Sequence, residues 1–236
     1  LTFSAWVKPD VDNNMRRVFS YYPTGSASQQ YAIAVDYGKI YFLAGLSDQF
    51  EQGQGNIGES ILAINEWSHI AVTYDDEAVR FYINGELDFE HYVDATFDVI
   101  NEGEFYIGSN SVWNSHTNSY QVFDGLIKDI KIFNAAFTDS EIQDFFNTNT
   151  LSYESNLLAD WRFNSGQGSI LYDHSGNRNH GTINGADWVE NLILGDINED
   201  FILNIQDIII IIDLILEPTY DSRVDMNQDG TLNIYD

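Results

Sequence analysis

Oxygen-bearing side chains recur at positions 1, 3, 5, 9 and 12 of two twelve-residue stretches near the end of the chain: Asp196, Asn198, Asp200, Asn204 and Asp207, then Asp225, Asn227, Asp229, Asn233 and Asp236. A loop with that spacing wraps a hard cation, which takes roughly six to eight oxygen ligands and prefers carboxylates and amides to nitrogen or sulfur. Calcium is therefore the expected ion. The two stretches differ at position 6, where the backbone must turn sharply. Gly230 adopts a left-handed conformation without steric penalty, whereas Phe201 holds that place in the first loop and would be strained.

A second group invites a catalytic reading. Glu86-Leu87-Asp88-Phe89-Glu90 carries three carboxylates at alternate positions. Strict alternation along a strand would set all three on one sheet face, two of them close enough to serve as nucleophile and acid of a retaining glycosidase. The segment resembles the E-x-D-x-E strand of laminarinase-type glycoside hydrolases. It follows the turn pair Asn84-Gly85 directly, however, and lacks the tryptophan-lined surroundings of that enzyme strand. A solvated acidic strand face is the expectation, and a glycoside hydrolase the least favoured function. The five histidines, His69, His91, His116, His174 and His180, show no metal-ligand spacing with one another, and no glycine-rich phosphate loop is present.

The stretch from Ser109 to Gln121 offers recognition chemistry instead. Trp113 and Tyr120 provide aromatic platforms for the apolar face of a sugar, and Asn114 and Asn118 provide amides for its hydroxyls. The alternative is that the two aromatics simply pin a long loop to the scaffold. Trp6 and Trp67 are expected in the core.

These candidates need a scaffold, and from Leu1 to about Phe133 the sequence spells short strands rich in Val, Ile, Tyr, Phe and Trp, broken by Gly, Asn and Asp. Asn84-Gly85 predicts a tight hairpin turn, and Thr138-Asp-Ser-Glu141 a capped helix through Ile142, Phe145 and Phe146. Phe3 to Pro9, Glu66 to Tyr74, Phe81 to Gly85 and Phe123 to Phe133 together resemble the laminin-G-like branch of the concanavalin A-like lectin and glucanase fold. That resemblance implies a mainly β jelly-roll sandwich that recognises glycans or proteins. Leu157 to Phe163, Tyr172 to Thr182 and Ile183 to Val189 resemble the opening strands of the same family, displaced to the end of the domain. They belong either to a separate domain or to this sandwich, folding back within the chain or donated to a neighbouring subunit.

The tail from Leu194 to Asp236 resembles the paired calcium repeats of dockerins, in which Asp replaces Glu at position 12. The resemblance adds the backbone carbonyls of Ile202 and Thr231 to the ten side-chain ligands, and it implies a cohesin-like partner. Positions 10 and 11, which help read that partner, are Ile205 and Gln206, then Ile234 and Tyr235. The helix that should follow the second loop is not in the sequence, so that loop is expected to be incomplete.

Composition limits the partners. With 37 acidic against 10 basic residues the net charge is −27, which argues against nucleic acid and anionic membranes. Calcium counterions or adaptation to salty water would each account for it. There are no cysteines, hence no disulfide framework. The apolar run from Ile208 to Leu216 is too short to span a bilayer. No leader pattern precedes Leu1, so a piece of a longer protein is expected. The division expected is a sandwich over 1–150, additional strands over 151–193 and a calcium module over 194–236. The function expected is a non-catalytic, extracellular or cell-surface module that binds calcium and recognises a polysaccharide or surface protein; the alternative is a surface-layer or filament subunit self-associating by strand exchange.

Overall fold

The computed structural model describes residues 1–11, 14–23, 31–44, 57–92, 103–110, 121–148, 156–189 and 205–216. They fall into two units, residues 1–165 with 169–184, and residues 166–168 with 185–236. The first unit runs β1 (Thr2–Pro9), β2 (Arg16–Pro23), β3 (Tyr31–Asp36), β4 (Lys39–Ala44), β5 (Ser68–Tyr74), β6 (Ala78–Ile83), β7 (Glu86–Tyr92), β8 (Gly103–Ile107), β9 (Gly125–Phe133), α1 (Asp139–Thr148), β10 (Leu157–Trp161), β11 (Ile170–Leu171) and β12 (Gly181–Thr182). All pairings are antiparallel, in a six-stranded sheet of order β10-β9-β1-β5-β6-β7, a four-stranded sheet of order β4-β3-β2-β8, and the small β11-β12 ribbon. This is the mainly β, jelly-roll architecture that the family resemblance implies.

Alternation explains the core. Phe3 and Ala5 of β1 point toward the four-stranded sheet, where the Phe3 ring lies 5.1 Å from that of Phe19 and 6.5 Å from that of Phe42. Ile70 and Ile130 join Val18 and Ile33 in the same interior. β5 is nonetheless buried along its whole length, because α1 covers the opposite face of its sheet. Ala71, Tyr82, Phe133, Phe137, Ile142 and Phe145 form that second core. The helix starts where the capping box places it: the Thr138 amide donates to Glu141 Oε2 at 2.7 Å, and the Glu141 amide to Thr138 Oγ1 at 3.4 Å. Both turn residues between β6 and β7, Asn84 and Gly85, have positive φ, as a primed hairpin turn requires. A side chain at Gly85 would also meet the Phe146 ring at 3.0 Å.

The displaced strand finds its partner within the chain. β10 pairs with β9, setting Leu157 opposite Phe133 and Asp160 opposite Lys131. Its outer edge is capped by side chains: Asn177 Nδ2 donates to the carbonyls of Leu157 and Leu158 at 3.0 Å each, and Asn179 Nδ2 to Leu158 at 2.9 Å. The Asp160 amide donates to Asp173 Oδ1 at 2.9 Å. A strand edge blocked by side-chain amides and a carboxylate is a poor template for another chain. In the second unit, α2 (Ile205–Leu216) is the one helix or strand among the described residues, and Trp188 Nε1 donates to the Gly168 carbonyl at 2.8 Å.

Candidate functional site

The outward face of the four-stranded sheet carries a buried polar cluster. β2 contributes it because one extra residue, Val18, interrupts the pairing with β3 between Arg17 and Phe19. The bulge sends Phe19 inward while Arg17, Ser20 and Tyr22 point outward. Ala34 and Ala32 lie opposite Arg17 and Ser20 on β3, and their small side chains leave the outward row to the longer polar ones. Arg17 is 4% exposed. Its amide donates to the Gln121 carbonyl at 2.8 Å, and its Nε to Gln121 Oε1 at 2.9 Å. Tyr22 donates its hydroxyl to Asn110 Oδ1, and Ser20 Oγ donates to the Ser109 carbonyl at 2.8 Å. Asn110 Nδ2 stands 3.5 Å from Gln121 Oε1.

Asn110 and Gln121 are thus brought together at the two ends of the loop that the sequence singles out. Trp113, Asn114, Asn118 and Tyr120 lie outside the described residues. Burial holds the Arg17 guanidinium down to about 10, against the pull of Tyr22, Tyr41 and Asp36. Asp36 is pushed up by burial, opposed by Arg17. Asn110 and Gln121 lie within the stretch from Ser109 to Gln121 but are not among its four candidates, and Arg17 and Tyr22 lie outside it; all four are additions. The signal for Arg17 was faint: an Arg pair, Arg16-Arg17, inside a strand of a chain with few basic residues.

The acidic motif does not form a catalytic pair. β7 bulges at Asp88, so that Leu87 pairs with Tyr82 and Phe89 with Phe81. The extra residue breaks the alternation, and Glu86 and Glu90 fall on opposite faces, correcting the single-face expectation. Asp88 and Glu90 are also committed to partners. Asp88 accepts the amides of Glu59 and Ser60 at 2.8 and 3.0 Å. Glu90 takes Arg80 Nε at 2.5 Å, and Arg80 reaches Asp75 at 2.6 Å with Nη1. Tyr92 and Arg80 hold the Glu90 carboxyl below its ordinary value.

Trp6 and Trp67 depart from the core expectation as well. Both are half-buried on the helix-side face, and Lys128 Nζ lies between them, 5.2 Å from the Trp6 ring and 4.9 Å from the Trp67 ring. His69 is structural: fully enclosed, it sits 2.8 Å from Ser4 Oγ through Nε2, and burial, then Lys131, lowers it to about 3. Among the described residues no group of three or more His, Asp or Glu side chains is placed to hold a metal. Of the expected calcium ligands, Asp196, Asn198, Asp200, Ile202, Asn204, Asp225, Asn227, Asp229, Thr231, Asn233 and Asp236 lie outside the described residues. Asp207 is in the first turn of α2.

A family model of the concanavalin A-like lectin/glucanases superfamily matches residues 1–143. The chain belongs to that superfamily. Comparison with curated proteins gives no match. Among solved structures, this superfamily domain is similar to a Bacteroides ovatus protein provisionally described as carbohydrate-binding, at 19% identity and a TM-score of 0.55, over 80% of this chain and 55% of that one. Coverage of 80% exceeds the 143 residues of the family match, so the likeness of fold extends past α1. It is also similar to a heptameric pentraxin from Limulus polyphemus, at 15% identity and a TM-score of 0.49, over 61% of this chain and 68% of that one. The fourth domain of an extracellular arabinanase from Geobacillus stearothermophilus, solved with arabinotriose, is 23% identical with a TM-score of 0.45, over 61% and 64% of the two chains. Among the described residues no helix is long and apolar enough to cross a membrane.

Proposed function

We propose that this domain is a non-catalytic carbohydrate-recognition module that works outside the cell, with a calcium-ordered tail for attachment. The observation that carries the reading is the meeting of Arg17, Tyr22, Asn110 and Gln121 at both ends of the Trp113 to Tyr120 loop. Amides and a guanidinium at the root of an aromatic loop suit the hydroxyls and apolar faces of a sugar. The provisional description of the Bacteroides ovatus relative supports the same ligand class. The dispersed carboxylates of β7 favour binding over hydrolysis. Affinity electrophoresis in gels cast with single polysaccharides tests the idea. Retardation by at least one neutral or acidic polymer is expected, weakened about tenfold by Trp113→Ala, the value of one lost aromatic stack. No retardation across the panel, or release of reducing ends, would sink it.

For the tail, α2 begins at Ile205, position 10 of the first loop, so that the closing ligand position, Asp207, stands in a first helical turn. That is the disposition a calcium loop followed by a helix uses. Chelation is expected to raise amide exchange after Leu194 and to leave the sandwich protected; an unchanged tail would refute calcium binding.

A further inference from the structure

Lys131 and Asp160 are direct cross-strand partners on β9 and β10. Both side chains are enclosed, 7% and 0% exposed, with Lys131 Nζ 3.7 Å from Asp160 Oδ1. That is an ion pair without a hydrogen bond, and among the described residues Oδ1 accepts none from any other group. The other oxygen is gripped: Arg162 places Nε and Nη2 each 2.8 Å from Oδ2. The Phe145 ring lies 5.8 Å from Nζ and shields the pair on the helix side. Asp129, in the β9 bulge with φ of 49°, lies within electrostatic reach of Lys131, Lys128, Asp160 and Arg162.

We propose that Lys131 and Asp160 condense within the folded chain to an isopeptide bond joining β9 to β10. The amine nitrogen adds to Cγ of Asp160, and the Cγ–Oδ1 bond then breaks. Two protons pass from the ammonium to Oδ1, which leaves as water, so that ammonium and carboxylate become one neutral amide with no change of oxidation state. Arg162 is placed to stabilise the oxyanion that develops on Oδ2. Asp129 is the proton carrier between nitrogen and leaving oxygen, ending as it began. Burial pushes its carboxyl up, opposed by Lys131 and Lys128, which favours the protonated form that the relay needs. The arrangement has the parts such a condensation requires: enclosed reactants in register, a polarised carboxyl, and a further carboxyl within electrostatic reach of both. In a chain without cysteine, this bond would fasten the late strand to the sandwich as a disulfide does elsewhere.

Intact-mass spectrometry of the purified full chain under denaturing conditions tests this directly. The expected mass is lower than the sequence requires by one water, and proteolysis is expected to yield one peptide pair joined through Lys131 and Asp160. Lys131→Arg should restore the full sequence mass. Asp160→Asn should lose ammonia in place of water, a signature that no structural role predicts. Asp129→Asn should keep the native circular dichroism yet slow the loss, and Asp129→Glu should recover it in part. A folded native chain carrying its full sequence mass would overturn the proposal, whatever the variants do.

Discussion

The two outward faces of the sandwich use the same kind of strand for opposite ends. On the six-stranded sheet, α1 brings Ile142 and Phe145 onto Ala71, Tyr82 and Phe133, and even His69 is enclosed there as a neutral ring. On the four-stranded sheet, the outward row is Arg17, Ser20 and Tyr22 beside two alanines, and its hydrogen bonds run to loop ends rather than to a helix. A face sealed by apolar contacts contributes stability; a face held by hydrogen bonds to Asn110 and Gln121 fixes the two residues that flank 111–120. On the proposed reading, stability and recognition reside on different faces of this domain, and each can be attacked alone.

The largest expected effect is on the sealed face. Phe133 is fully buried between β9 and α1, and Phe133→Ala should remove about 3–5 kcal/mol by lost transfer energy and a cavity. Urea unfolding measures it. Polysaccharide retardation at temperatures where the variant stays folded should be unchanged; a parallel loss of binding would show that the two faces are coupled.

On the polar face, Gln121→Leu strips Arg17 Nε of its acceptor inside the fold. Leaving that donor unsatisfied should cost about 1–3 kcal/mol. Here binding should fall as well, because Gln121 ends the aromatic loop. Equal stability loss with intact binding, measured by the same gels after a melting curve, would reduce the cluster to scaffolding.

Much of this division was legible in the sequence, and most of what was not has one physical cause. The strands of β1, β5 and β6, the Asn84-Gly85 turn and the Thr138 cap follow from local patterns, because alternation and capping are written in neighbouring residues. Three of the side-chain placements that surprise sit at bulges. Val18 turns Arg17 outward, Asp88 separates Glu86 from Glu90, and Asp129 lets β9 present both Lys128 and Lys131 on one face. One inserted residue inverts every facing beyond it, and nothing in the composition of a strand announces the insertion. The pairing of β10 with β9 was equally open, since it depends on which edge is free rather than on the strand itself.

The sealed face should also be the acid-sensitive one. His69 titrates at about 3 in the fold against an ordinary 6.5, so the unfolded chain takes up a proton that the folded chain refuses. Stability should therefore be full above about pH 6.5 and fall as pH drops toward 3, with a slope approaching 1.4 kcal/mol per pH unit from this residue, about one proton's worth. Around the ring stand Ser4, Trp6, Lys131, Phe145 and Phe146; while its amine is free Lys131 adds the one charge among them that opposes protonation, and after condensation burial, the larger cause, remains. Melting temperatures of the native chain and His69→Gln from pH 7 to pH 4 check the assignment: the variant should lose part of the slope. Identical slopes would move the acid sensitivity elsewhere.

The smallest expected effect isolates the helix from the sheet it covers. Thr138 accepts the Glu141 amide through Oγ1 and receives Glu141 Oε2 on its own amide, so Thr138→Ala removes one arm of a reciprocal cap without touching the core. A loss of about 1 kcal/mol is expected, the usual value of an N-cap. Because α1 is the lid of the sealed face, amide exchange should quicken in its first turn and along β5 while β2 stays protected. Faster exchange spreading to β2 would mean that the polar face borrows its order from the helix on the far side. Exchange confined to α1 and β5 would leave the two faces as independent as their chemistry makes them.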